Sequence, residues 1–254
     1  MVMVGDQLVS VIICYYLEQE IVYSAIDSVI CQSYDNLEII LVCDGGDKDY
    51  FENLRHHYHF DKRIRAYWKT NSGLTKSLLF AIEKCKGDII ARIDADDTWV
   101  KRKIEYQIPY LERYDVVASW ISQEDREGRK VGSYIDINFN CNYQRSLLLK
   151  NSIVHSSVLL KKEQYKRLNS RFKYAQDYAL WIELLSKGMS FYIVEKELVK
   201  RKILPDSIGV RKRSQQQYYV LLALILNFKF NFFYILAFVK HFFRYVFYLF
   251  SCVY

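Results

Sequence analysis

Ile89-Ile90-Ala91-Arg92-Ile93-Asp94-Ala95-Asp96-Asp97 decides how this chain is read: an apolar run followed at once by three carboxylates in four residues. A buried strand that ends in an acidic cluster presents hard oxygen donors in a cleft. Such donors suit Mg2+ or Mn2+ and, through the ion, a diphosphate. The pattern points to chemistry on a nucleotide-activated substrate. The competing reading is that Asp96-Asp97-Thr98 caps a helix starting near Lys101, since Asp and Thr favour helix N-termini.

Working outward, residues 8–14 (LVSVIIC) and 37–42 (LEIILV) are apolar and rich in β-branched side chains, as expected of strands buried on both faces of a parallel sheet. Ile21, Ala25, Ser28 and Val29 fall at helical spacing between them, which makes a βαβ unit. A third strand is expected over 64–68, then a helix over 75–85 with Leu78, Leu79 and Ile82 inward, then the strand that carries the carboxylates. The first hundred residues thus predict an open α/β nucleotide-binding half. Downstream, 101–113 reads as a helix interrupted at Pro109, 116–122 as a strand and 124–130 as a charged turn around Gly128. Residues 154–160 read as a strand, and 179–185 as a helix ended by Gly188. Pro205 and the basic residues around it mark the expected boundary between a body, 1–210, and a tail, 211–254.

The formal charge of +7 is unevenly placed. Nine basic residues and one acidic residue from Lys200 onward give that end +8, leaving the rest at −1. A nearly neutral body argues against nucleic acid as a partner. Six cysteines without a C-x-x-C pair read as buried thiols in a reducing compartment. With no basic leader or long apolar run at the start, the expectation is a cytoplasmic domain. The tail reads YYVLLALILNF, KFN, FFYILAFVKHFFRYVFYLF. Its first apolar segment is only ~16 Å long as a helix, against a hydrocarbon core of ~30 Å. The second carries Lys240, His241 and Arg244 near its middle, and each buried Lys or Arg costs about 2.5 to 3.5 kcal/mol on an insertion scale. Amphipathic aromatic and basic helices lying in the plane of an anionic membrane surface are therefore expected. The alternatives are a true span, or a helix pair packed on the body or on a second subunit.

In order along the chain, the motifs are Val9-Ser10-Val11-Ile12-Ile13; Ser28-Val29 with Gln32-Ser33-Tyr34; Leu37 to Val42; Cys43-Asp44-Gly45-Gly46-Asp47; Asn71-Ser72-Gly73; Gly87 to Asp97; Asn151-Ser152-Ile153-Val154-His155-Ser156-Ser157; and Tyr174-Ala175-Gln176-Asp177-Tyr178-Ala179-Leu180-Trp181. This series resembles family 2 glycosyltransferases, over residues 8–210. The resemblance implies the GT-A fold, a Rossmann-like, mostly parallel sheet flanked by helices, with a nucleotide-binding half over about 1–100 and an acceptor half over 101–210. It further implies that Asp44 accepts a hydrogen bond from uracil and that Asn71 and Gly73 border the nucleotide. By the same resemblance Lys76 is expected to reach a phosphate, Asp94 and Asp97 to bind the nucleotide-sugar, and Asp96 to hold the metal, Mn2+ or Mg2+, with Asp94 and Asp97 as the alternative ligands. His155 and Trp181 are expected to face the sugar or acceptor, and Asp177 to be the general base of an inverting displacement. The chain departs from the family pattern at Cys14-Tyr15-Tyr16-Leu17, Cys43, Gln176 and Ala179. Loss of a second carboxylate beside Asp177 changes the electrostatic setting of the base.

Short length, the acidic cluster and the aromatic, basic tail look like bacterial O-antigen or capsule repeat-unit transferases. These act at the cytoplasmic face of the inner membrane on undecaprenyl-diphosphate-linked sugars, with a UDP-sugar as donor. Two rival classes remain. A metal-dependent nucleotidyltransferase would carry a glycine-rich basic loop after the first strand, and residues 14–20 have none. A non-catalytic, transferase-like binding module fits the departures at Cys43, Gln176 and Ala179.

Overall fold

Three parallel neighbours grow from the first apolar runs. In the computed structural model, which describes residues 7–17, 20–203 and 212–251, β1 (Val9–Tyr15) lies between β2 (Leu37–Asp44) and β4 (Ile89–Asp94), and β3 (Ile64–Lys69) flanks β2, all parallel. Alternation along β1 explains its two-sided burial. Val9, Val11 and Ile13 pack with α1 (Val22–Ile30) and α2 (Lys48–His57), while Ile12 packs with α3 (Leu74–Lys84) on the other face. The expected βαβ frame is present. The polar helix α2 has little apolar signal of its own, and its start is fixed by Asp47, whose carboxylate accepts from the backbone N–H groups of Asp49 and Tyr50 at 2.8 and 3.2 Å.

Beyond β4 the sheet reverses and curls. It contains nine strands in the order β3, β2, β1, β4, β8 (Leu159–Lys161), β6 (Val116–Glu124), β9 (Phe191–Lys202) and β5 (Asp97–Trp99), with β7 (Lys130–Tyr134) paired to β6. β4 and β5 are separated in sequence only by Ala95 and Asp96, yet β5 hydrogen-bonds to β9 at the far end of the strand order. The path β4, β8, β6, β9, β5 must therefore bend back on itself. Register shifts around Trp120 in the β6/β9 pair accommodate the bend. The acidic cluster sits where this curl closes.

Several expectations are corrected. Asp96-Asp97-Thr98 does not cap a helix: Asp97 opens β5, and α4 (Lys103–Gln107) begins later with no side-chain cap. Beyond α4 the chain continues as a 3-10 turn from Ile108, which is the interruption expected at Pro109. Of the expected 154–160 strand only Leu159 and Leu160 pair into the sheet, within β8; His155–Ser157 is a 3-10 turn, closed by the Ser157 hydroxyl and N–H donating to Val154 O at 2.7 and 2.9 Å. Strand β9 was not read from the sequence, because its second half is highly charged. Lys200, Arg201 and Lys202 consequently belong to the sheet and not to the tail, and Lys200 pairs with Glu124 at 3.3 Å. The boundary expected at Pro205 lies outside the described residues.

The second half adds α5 (Tyr143–Leu149), α6 (Lys162–Tyr165) and α7 (Gln176–Ser186), and the tail forms α8 (Arg213–Leu226) and α9 (Phe232–Ser251). Val220, Leu221, Ala223 and Leu224 of α8 and Tyr234 and Ala237 of α9 are buried, most of them in the core that holds α3 and α7. The tail helices thus pack on the body. The other side of α9 is open, with Phe232, Phe243, Phe247 and Phe250 exposed. By length and composition alone, α9 is long and apolar enough to cross a membrane.

Candidate active site

The carboxyl ends of three adjacent parallel strands, β1, β2 and β4, form one rim of the site, the place where open α/β sheets bind ligands. Asp44 ends β2 and is buried. Its Oδ1 accepts from Lys69 Nζ at 2.6 Å and from the Ser72 N–H at 2.9 Å, and its Oδ2 accepts from the Gly73 N–H at 2.8 Å. Burial opposes its charge, but the hydrogen bonds from Lys69, Ser72 and Ser77 prevail and hold the carboxyl below its ordinary range. Asp44 therefore fastens the 71–73 loop to the strand end. Gly45 follows with φ +88°, and a Cβ there would lie 2.8 Å from Asn71 Cβ, so the turn and the loop touch through glycine. Asn71 and Lys76 are exposed beside it, and Gly73 opens α3. Lys69, rather than Lys76, meets Asp44.

At the end of β4, Asp94 and, in the turn after it, Asp96 are partly exposed, while Asp97, the first residue of β5, is 1 % exposed. Asp94 forms an ion pair with the buried Arg92, donates its N–H to Ser156 Oγ at 2.9 Å and accepts from the Ser156 hydroxyl at 3.0 Å. Among the described residues neither carboxylate oxygen of Asp97 has a partner at good hydrogen-bond geometry, and burial, together with the charges of Asp94 and Asp96, pushes its pKa well up, with Ser156 opposing weakly. Asp94 and Asp96 beside it offer partly exposed carboxylate oxygens of the kind a divalent cation takes. Such a cation takes one or two protein carboxylates and completes its shell with phosphate and water. No group of three His, Cys, Asp or Glu side chains gathered for metal binding is found among the described residues.

Across from this rim, Asp177 lies in the first turn of α7, partly exposed, and does not act as its N-cap, which is Ala175. Its Oδ2 accepts from Asn151 Nδ2 at 3.0 Å, and Asn151 Oδ1 is buried with no partner among the described residues. The Tyr134 hydroxyl donates to the Asn151 carbonyl, and Lys150 pairs with Asp136 at 3.1 Å, so strands and loops brace the asparagine from both sides. Buried Arg92 connects the two rims. Burial opposes its charge, but Asp94 first and Asp177 more weakly favour it, and its pKa is raised. Arg92 thus lies within electrostatic reach of the carboxylates on both sides.

His155 and Trp181, expected to face the sugar or acceptor, are corrected. His155 is 3 % exposed, with Nε2 2.6 Å from the Tyr165 hydroxyl and its ring edge-on to Trp181 at 5.6 Å, and Trp181 is fully buried. Both are core side chains, because the turn at 155–157 directs the imidazole under α7. Burial and the charge of Arg92 hold His155 neutral. Arg92, Asn151, Ser156 and Lys69 are the site residues that no role was read for. An arginine amid IIARID is the signal that marked one of them, since a charge in a doubly buried strand demands a partner.

A family model described as Glycosyl transferase family 2 matches residues 10–168. Among curated proteins, the O-antigen biosynthesis glycosyltransferase WbnJ of Escherichia coli is 28% identical over 71% of this chain and 72% of its own length. An Escherichia coli protein named UDP-Glc:alpha-D-GlcNAc-diphosphoundecaprenol beta-1,3-glucosyltransferase WfaP is 29% identical over 81% of this chain and 88% of its own. Among solved structures, S. aureus TarS 1-349 superposes with a TM-score of 0.69 at 14% identity, covering 92% of this chain and 71% of that one. A longer TarS structure is spanned over only 39% of its length. TarS 1-349 has also been solved with UDP-GlcNAc. The mannosyltransferase PcManGT from Pyrobaculum calidifontis, in complex with GDP-Man and Mn2+, superposes with a TM-score of 0.63 at 14% identity over 86% of this chain and 63% of its own. The shared architecture is the GT-A fold.

Proposed function

Because the chain belongs to glycosyl transferase family 2, we propose that it is an inverting transferase. It moves a hexose, glucose or galactose, from a UDP-sugar to a saccharide on undecaprenyl diphosphate during assembly of a bacterial surface polysaccharide. The observation that carries this reading is the pairing of an acidic, nucleotide-facing rim with an Asp177–Asn151 pair across buried Arg92. Asp44 anchors the 71–73 loop that borders the base, and Asp96, with Asp94 beside it, would hold Mn2+ or Mg2+. When bound, the cation supplies neutralising charge at the diphosphate. Asp177 accepts the proton of the acceptor hydroxyl as the oxygen bonds to the anomeric carbon. The bond from that carbon to the UDP oxygen breaks and its electron pair leaves with UDP. Asn151, donating to Asp177, keeps the carboxylate turned toward the acceptor, and holding both substrates in place supplies much of the acceleration.

The name of WfaP supports a GlcNAc-diphospho-undecaprenol acceptor, UDP-glucose and a β-1,3 linkage as the first combination to test, with GalNAc as the alternative acceptor sugar. Exposed aromatics on α9, with Lys240 and Arg244 beside them, support peripheral attachment to the inner face of the membrane. Packing of α9 along the body favours an in-plane pose, since a span would carry α5 and α8 into the bilayer. Calorimetric titration of UDP with and without Mn2+ tests the donor side, and manganese-dependent binding is the expected result. Asp177→Asn is expected to cut turnover by about 100-fold or more while leaving UDP binding intact, the contribution typical of a general base. Unchanged turnover would remove Asp177 from the mechanism.

A further inference from the structure

The last turn of α5 is held from outside the helix. Lys240 Nζ donates to Leu149 O at 2.8 Å, and the Tyr178 hydroxyl donates to Leu148 O at 3.1 Å. His241 Nε2 lies 3.2 Å from the same Leu148 carbonyl and 3.3 Å from the Tyr178 hydroxyl, while its Nδ1 lies 2.9 Å from Gln217 Oε1 on α8. His241 is 1 % exposed, and burial, with Arg244 and Lys240 nearby, brings its pKa down to about 4 despite the Leu148 carbonyl. The neutral ring has one N–H. Given to Gln217 Oε1, it leaves Nε2 to accept from Tyr178, whose hydroxyl is then shared with Leu148 O.

These contacts lie next to the base in sequence. Tyr178 follows Asp177, and Leu148 and Leu149 precede Asn151 by three and two residues. We propose that α9 is a positioning element of the acceptor side: His241 and Lys240, acting with Tyr178, lock the end of α5 to the start of α7 and so set Asn151 against Asp177. The proposal rests on Asp177 being the base. It makes the C-terminal helix part of the catalytic apparatus and not only an anchor. The exposed aromatic face and the His241 clamp lie on opposite sides of one helix, so its seat on the body and its contact with a surface are coupled.

The test uses the full chain with His241→Leu, His241→Gln and Tyr178→Phe, read by hydrogen exchange over residues 148–152 and by transfer from UDP-glucose to a GlcNAc-diphospholipid. His241→Leu is expected to speed exchange in that segment by roughly tenfold, because a local tie is lost. It should lower kcat by about tenfold, with KM for UDP-glucose and UDP binding unchanged, and His241→Gln should recover most of both. In an Asn151→Ala background, His241→Leu should cost nothing further, as expected of residues acting through one another. Wild-type exchange and kcat in His241→Leu, or a full additional loss on top of Asn151→Ala, would overturn the proposal. Should His241→Leu fail to fold, Tyr178→Phe keeps the ring and its packing and yields the same readouts. A silent Asp177→Asn would instead bring down the base assignment, leaving the exchange result to stand or fall by itself.

Discussion

Asp44 sits where a strand end, a lysine and a loop meet, and its two oxygens take three hydrogen bonds. Replacing it by Ala removes the ion pair with Lys69 and leaves the Ser72 and Gly73 N–H groups without this acceptor, which costs about 1–3 kcal/mol. Asp44→Ala is expected to lower the unfolding free energy by that amount, read as a lower urea midpoint, and to weaken UDP binding, because Asn71 and Gly73 are no longer held against Gly45. Wild-type UDP affinity in a folded Asp44→Ala protein would separate the loop from the nucleotide site. Its position at a strand end, in Cys43-Asp44-Gly45-Gly46, was legible in the sequence, but its bonding was not, since Lys69 and Ser72 arrive from a different strand and loop.

Among the elements, α8 and α9 divide the work that the tail composition implied for both. α8 places Val220, Leu221, Ala223 and Leu224 in the core, so deleting residues 214–254 would open the body and confound any binding assay. Substitution on the open face of α9 avoids this. Phe243, Phe247 and Phe250 are 66 %, 65 % and 70 % exposed, and burying a Phe side chain is worth about 1.5–3 kcal/mol. Changing all three to Ser is expected to leave the melting temperature nearly unchanged and to weaken flotation with anionic liposomes by roughly 100-fold or more. Undiminished flotation would remove α9 as the membrane contact. Helical periodicity and aromatic content announced these helices, whereas which face turns inward depends on α5 and α7, which lie elsewhere in the chain.

Across the whole molecule, two buried histidines tie stability to pH. His155 and His241 are both held below the ordinary histidine value of 6.5, His241 at about 4. Between those values the unfolded chain binds more protons than the folded one, so stability is full above ~6.5 and falls as pH drops toward 4. The urea midpoint is expected to be lower at pH 5 than at pH 7.5, and His241→Gln should flatten the decline. An equal decline in that variant would assign the effect to other groups. Both rings lie close to the acceptor side, one under α7 and one between α8 and α5, so acid is expected to loosen that half first.

The sequence alone determined the parallel first half of the sheet, because each of its strands is a short apolar run with its turn within a few positions of it. Asp94, Asp96 and Asp177 stand out as candidates for the same local reason. Only the tertiary structure decided the rest. The charged strand β9 is extended because β6 and β5 pair with it, and β5 is a strand only because the curled sheet brings β9 to it. His155 and Trp181 share the motifs of site residues but fill the core, since burial is a property of what packs over a side chain and not of its neighbours in sequence. Arg92 pairs with Asp94 and lies within electrostatic reach of Asp177, and Lys240 donates to the carbonyl of a helix residue 91 positions earlier. Contacts of that span leave no periodicity in a sequence, and the fold brings them together only when the chain has closed.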